Sequence, residues 1–85
     1  MLRHRFIRLT DVEARPDYTL LLTFDTGEKK VYDFKPELDV PVFEPLKNIG
    51  LFLQAKKKTY AVVWSEAIDI ASEELYEHGV SWQNE

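Results

Sequence analysis

The side chains in this sequence that could move a proton or attack an electrophile are few. They are two histidines, His4 and His78, and a set of carboxylates and hydroxyls, of which Asp33, Asp69, Ser65 and Ser72 sit beside apolar residues. Acid–base or nucleophilic catalysis needs such a group held by a second one within hydrogen-bond reach. His4 stands in a basic amino-terminal stretch, and His78 closes a short helical pattern, where a protonated imidazole complements the helix dipole. The two do not form an H-x-x-x-H or comparable metal-ligand spacing. Neither serine has a histidine close along the chain to activate it, and a lone Gly27 is not a phosphate loop. Asp69, flanked by Ile68 and Ile70 on a connection into a helix, is expected to accept backbone N–H bonds at a turn. Asp33, within a strand pattern, is expected to bond structurally or to pair with Lys29 or Lys35. Paired carboxylates hydrolyse glycosides only across a sugar-sized cleft, which 85 residues seldom provide. These residues predict a protein that is not an enzyme and has no catalytic, metal or cofactor site.

The elements available to position any site are limited by size. A chain of 85 residues makes one domain, residues 1–85, and hides only about 60 to 65% of its unfolded surface on folding. Its 45% hydrophobic content, with five Phe, four Tyr and two Trp against three Gly and four Pro, is that of a folded globular chain. No cysteine occurs, which excludes disulfides, thiolate metal sites and cysteine nucleophiles and fits a reducing compartment. The longest apolar runs fall far short of the roughly 18 to 20 residues that span a bilayer, and "MLRHRFIR" lacks the apolar stretch of a signal peptide. A cytosolic protein is expected.

Along the chain, "YTLLLTF" (18–24) alternates Tyr18, Leu20, Leu22 and Phe24 against Thr19 and Thr23, the period-two pattern of a half-buried strand. "DTG" follows as a turn in which Gly27 is free to take positive φ, and "EKKVYDF" runs back. "RFIRLTDVEAR" is a preceding strand closed by Pro16 and Asp17, so three strands form a meander. Pro36, Pro41 and Pro45 forbid a strand after Lys35, and "FEPLKN" fits one or two helical turns with Phe43 and Leu46 facing the sheet. "LFLQAKKKTYAVVW" reads as two further strands around a lysine-rich turn or edge guard. Ser72 to His78 is a short helix, with Glu73 and Glu74 in its first turn, Leu75 inward and Gly79 as its stop. The expected fold class is α+β: a bent antiparallel sheet of about five strands, a short middle helix and a C-terminal helix.

Charge is polarised along the chain. The net charge is −4, yet the first eight residues hold Arg3, Arg5 and Arg8 without an acid, and "KKK" stands at 56–58. From Ser65 onward there is no Lys or Arg, while Glu66, Asp69, Glu73, Glu74, Glu77 and Glu85 are all acidic. An acidic face of this kind steers a basic partner, and it also reads simply as a solvated helix face.

An ordered set of residues carries a resemblance. Phe24-x-x-Gly27 is followed by Asp33-Phe34, Phe43 and Leu46, Phe52, then Trp64 with Ile68-Asp69-Ile70, and finally Leu75-Tyr76-x-x-Gly79. Over about residues 5–79 this resembles the small bacterial domain-of-unknown-function family 2442. The resemblance implies a small α+β fold with a bent antiparallel sheet and little defined chemistry. It also implies a member of a two-gene cassette with an antitoxin-like role beside another small protein. The family often has Ser-Pro before the last helix, where Ala71-Ser72 stand here, so the helix start is expected to lack a side-chain cap worth roughly 1 kcal/mol. Some relatives carry a helix-turn-helix domain after this module, and none follows within this chain, which weakens direct operator binding.

The function expected from these features is protein–protein interaction, as the antitoxin-like partner of a small basic, toxin-like protein. Glu73, Glu74 and Glu77 would present an acidic ridge, with Tyr76 and Trp82 as apolar anchors; Trp82 folding back on the sheet is the alternative for that residue. The alternative function is a nucleic-acid-binding or regulatory module that uses Arg3, Arg5 and Arg8, with Tyr18, Tyr32 and Tyr60 to stack bases. Net negative charge and the core-like positions of those tyrosines count against it.

Overall fold

Alternating apolar residues build the first half of the molecule. The computed structural model describes residues 7–82, so Arg3, His4, Arg5 and Glu85 lie outside the described residues. Strands β1 (Leu9–Ala14), β2 (Thr19–Phe24) and β3 (Lys29–Asp33) form the expected antiparallel meander. Leu20, Leu22, Phe24 and Tyr32 point inward, while Thr19, Leu21 and Thr23 alternate outward. Gly27 takes φ 92 in the β2–β3 turn. Tyr18, expected to start the strand, lies just before it with φ 67.

The second half departs from the sequence reading in three places. The proline-rich stretch forms two 3₁₀ segments, Lys35–Asp39 and Pro41–Lys47, with Phe43 and Leu46 buried as expected. "LFLQ" is not a strand: Ile49–Phe52 is helix α1, opened by Asn48, whose side chain accepts a bond from the Leu51 N–H. That cap, together with Phe52 as the single buried residue of the turn, outweighs the apolar run. The lysines are not a turn but a strand, β4 (Lys56–Lys58), paired with β5 (Ala61–Ser65) through Lys56↔Val63 and Lys58↔Ala61, and the chain turns at Thr59 and Tyr60. As an edge strand of exposed lysines, β4 does guard the sheet edge. Ile68-Asp69-Ile70 is not a connection but part of β6 (Ile68–Ala71), whose two isoleucines are buried and whose Asp69 faces solvent.

Helix α2 (Ser72–His78) and a two-residue strand β7 (Val80–Ser81) are the last elements among the described residues, and β7 adds to the edge of β3. The expected antiparallel α+β architecture is therefore present as two sheets, ordered β1-β2-β3-β7 and β4-β5-β6. They meet where the Leu9 N–H donates to the Thr59 carbonyl at 2.9 Å.

One apolar cluster joins the two sheets and the helical segments. At its centre is Phe34, fully buried, whose ring lies 5.1 Å from Phe43, 5.3 Å from Trp64 and 5.6 Å from Phe52. Burying a side chain of this size contributes about 1.5 to 3 kcal/mol. The Trp64 indole N–H donates to the Phe52 carbonyl at 2.9 Å, so the one polar atom of that ring is satisfied in the interior.

Candidate interaction surface

Helix α2 is held by a few fixed points. No side chain caps its first turn, as expected from Ala71. Ser72 instead turns inward and donates from Oγ to the Ile7 carbonyl at 2.6 Å, while Leu75 is fully buried. The Gly79 N–H donates back to the Leu75 carbonyl at 2.9 Å. A Cβ at Gly79 would stand 2.7 Å from that oxygen and 3.2 Å from the Lys30 Cβ, so close packing on β3 requires glycine here.

These constraints decide where the expected contact residues stand. Glu74 and Glu77 are exposed and Glu73 is half-buried. Tyr76 is fastened to the sheet: its ring meets Phe24 edge-on at 5.1 Å, its hydroxyl donates to Glu28 at 2.6 Å, and the Lys30 ammonium lies 4.1 Å from its centroid. Trp82 folds back on the sheet, its N–H donating to the Lys29 carbonyl at 3.0 Å with the Lys29 ammonium 5.7 Å from its ring. Lys29 and Val31 lie on one face of β3, and Lys30 and Tyr32 lie on the other, toward α2 and the core. Trp82 thus sits across the sheet from the α2 acids, and the structure does not bring the two together.

What the structure does assemble is a second set of acids. Tyr32, Asp33, Glu37, Glu74 and His78 line a depression of about 370 Å³. Glu37, Phe43, Asp69, Ile70 and Glu74 line a neighbouring one of about 320 Å³. Glu37 and Glu74 border both. Burial, and then the hydrogen bond to Glu37 and its charge, hold the Tyr32 hydroxyl neutral far above the usual tyrosine range; that bond is 2.6 Å long. Asp33 is held below the usual carboxylate range, first by the Lys35 backbone N–H at 3.0 Å and then by the Lys35 ammonium, also at 3.0 Å. His78 pairs with Glu74 at 3.4 Å. Among the described residues, no three His, Cys, Asp or Glu side chains come close enough to share a metal ion.

Sequence reasoning missed Glu37. It lies in a proline-rich stretch without periodicity, and only the 3₁₀ turn carries it to the Tyr32 hydroxyl. The turn bonds expected of Asp69 occur instead at Asp33 and at Asp17, whose Oδ1 accepts from the Thr19 N–H and hydroxyl. Of the basic residues, Arg8 is exposed beside the end of β4. Tyr18 and Tyr32 are absorbed by the core, and Tyr60 remains 47% exposed.

The fold and this surface define a small α+β domain of two antiparallel sheets, with its carboxylates spread over an open face rather than gathered in a cleft. Residues 9–81 match the family model described as protein of unknown function DUF2442, and the chain belongs to that family. No curated protein and no solved structure matches it. Among the described residues no helix is long and apolar enough to cross a membrane.

Proposed function

We propose that this chain is a non-catalytic, cytosolic interaction module that binds a basic protein partner, in the manner of the antitoxin-like member of a two-protein pair. The observation that carries this reading is the placement of Glu37 and Glu74. Acids from sequence-distant elements border two adjoining depressions, with Asp33 and Asp69 at their outer ends and Glu77 exposed on the same helix as Glu74. Carboxylates so arranged accelerate encounter with a cationic surface and orient it, and such steering weakens as salt rises. Cationic side chains seated in the depressions would pair with Glu37 and Glu74 while their stems pack on Phe43 and Ile70.

The experiment is capture of the native partner from cell lysate with the tagged chain, followed by association kinetics with that partner at several salt concentrations. Glu74→Lys with Glu77→Lys is expected to slow association most at low salt and to leave the fold intact. An unchanged on-rate removes the acidic-surface reading.

A second reading rests on the bond between Leu9 and Thr59, which sets Arg8 at the end of the lysine strand and gathers cations on one edge. Retention of RNA or DNA at low salt, reduced by Arg8→Ala with Arg3→Ala and Arg5→Ala, supports it. No retention by the purified chain at low salt rejects it.

A further inference from the structure

The outer face of the four-stranded sheet breaks the rule for a solvated sheet face. An antiparallel sheet covered on one side alternates apolar residues inward with polar residues outward. Here the registers Leu21↔Val31 and Val31↔Val80 place three apolar residues side by side across β2, β3 and β7 on the outward side. Leu21 and Val31 are half-buried but do not belong to the apolar residues packed on the core, and Val80 is 70% exposed. Half-buried Trp82 extends the patch beside Lys29.

The charges around this row have a symmetry. On β3, Lys29 and Asp33 flank Val31 at two residues' distance on the same face, positive on one side and negative on the other. On β2, Thr23 and Thr19 flank Leu21 in the same way. On β1, Asp11 stands opposite Thr23 and Glu13 opposite Leu21, with Arg15 bonded to Thr19 beyond them. A twofold axis lying along the apolar row therefore sets Lys29 of one copy over Asp33 of the other and Asp11 over Arg15. Leu21, Val31 and Val80 then meet their own counterparts, and so does Glu13 at the β1 end of the row, where Arg15 lies 3.7 Å away to offset its charge. Asp33 is bonded to Lys35, and Arg15 lies 3.7 Å from Glu13, yet the Asp33 side chain is still 54% exposed. A twofold along the strand direction over β2 would instead bring Val31 against Glu13, so the apolar row selects the first axis.

The geometry points to a homodimer formed face to face through this side of the sheet. The two sheets lie about 10 Å apart with their strands nearly aligned. Three strands of about 17 Å and the two-residue β7, spaced at about 4.8 Å, give a face of roughly 300 Å² in projection, which belongs to the small, concentration-dependent class of interfaces. The pairing adjoins the depression lined by Glu37 and Glu74, which Asp33 and Val80 also border, and it rests on the apolar row rather than on the function proposed above.

The test is sedimentation equilibrium of the full chain, from micromolar to millimolar concentration. A reversible monomer–dimer equilibrium is expected, with Val80→Arg and Lys29→Asp each weakening it at least about tenfold while circular dichroism stays native. Lys29→Asp combined with Asp33→Lys re-creates the complementarity with reversed sign and is expected to restore the dimer. Mixing the Lys29→Asp chain with an Asp33→Lys chain is expected to give heterodimers. A chain that remains monomeric throughout, or a dimer unmoved by Val80→Arg and Lys29→Asp, overturns the inference.

Discussion

Tyr18 and Gly27 occupy the same position in consecutive hairpin turns. In the first, the Tyr18 N–H donates to the Arg15 carbonyl and the Arg15 N–H to the Thr19 carbonyl; in the second, Gly27 donates to Phe24, and Phe24 to Glu28. Both residues take left-handed backbone angles, φ 67 and φ 92. Glycine does so without steric cost, whereas a residue with a Cβ is destabilised by about 1 to 2 kcal/mol. Tyr18 is held there by its ring, 4.8 Å from that of Phe52, and by its hydroxyl, which donates to the Lys47 carbonyl at 2.6 Å. Tyr18→Phe is therefore expected to cost about 1 kcal/mol through the lost bond. Tyr18→Gly removes the strain but also the anchor, so it should lower the thermal midpoint further than Tyr18→Phe. Gly27→Ala, with nothing within 4 Å of its Cβ, should cost only the strain. Urea denaturation of the three variants checks the order.

Gly79 is needed for space rather than for conformation, since its φ of −75 suits any residue. Gly79→Ala drives a methyl group against the Leu75 carbonyl and Lys30, and is expected to destabilise by about 1 to 3 kcal/mol. Faster hydrogen exchange at the Gly79 and Trp82 amides would localise the damage to the α2–β7 junction.

Ala71→Ser should stabilise. The Ala71 backbone already has the φ −69 and ψ 145 of a capping residue without the side-chain oxygen. Supplying that oxygen is expected to add about 0.5 to 1 kcal/mol, visible as a raised thermal midpoint. Ser72→Pro should instead lose both the buried bond to Ile7 and the backbone bond to the Tyr60 carbonyl.

Stability should fall at both ends of the pH scale. Asp17 and Asp33 have folded-state pKa values below their unfolded ones, held down chiefly by bonds from Thr19 and from Lys35. Their contribution is present above the ordinary carboxylate value of 3.8 and is lost as pH falls through the lowered values. Tyr32 has a raised folded-state pKa, so its contribution is complete below the ordinary 10.0 and declines as pH rises beyond it. Urea midpoints against pH should show both declines, with Asp33→Asn reducing the acidic slope and Tyr32→Phe the alkaline one.

Trp64→Phe keeps an aromatic ring among Phe34 and Phe52 but leaves the Phe52 carbonyl with only the 3.3 Å bond from the Ala55 N–H. A loss of about 0.5 to 1.5 kcal/mol is expected for the one hydrogen bond removed. Equilibrium denaturation followed by far-ultraviolet circular dichroism measures it.

Local pattern was enough where one face of an element is buried and the chain reverses tightly. The meander from β1 to β3, the turn at Gly27, the inward Phe43, Leu46 and Leu75, and the limits of α2 all follow from periodicity and capping residues in adjacent sequence. Leu51 to Gln54 and Lys56 to Lys58 depart from the expected strand and turn because a short apolar run and a short charged run carry no period. The side-chain cap from Asn48 decided the first and pairing with β5 the second. The candidate surface was legible in part: Glu74 and Glu77 stand exposed on one side of a helix that the sequence itself outlines. Only tertiary structure brought Glu37 to Tyr32 and Glu74, placed Trp82 across the sheet from the acids, and aligned Leu21, Val31 and Val80. The first bond is made by a 3₁₀ turn without a periodic signal, and the other relations join segments far apart in sequence, which strand register and packing of the shared core fix and local composition does not encode.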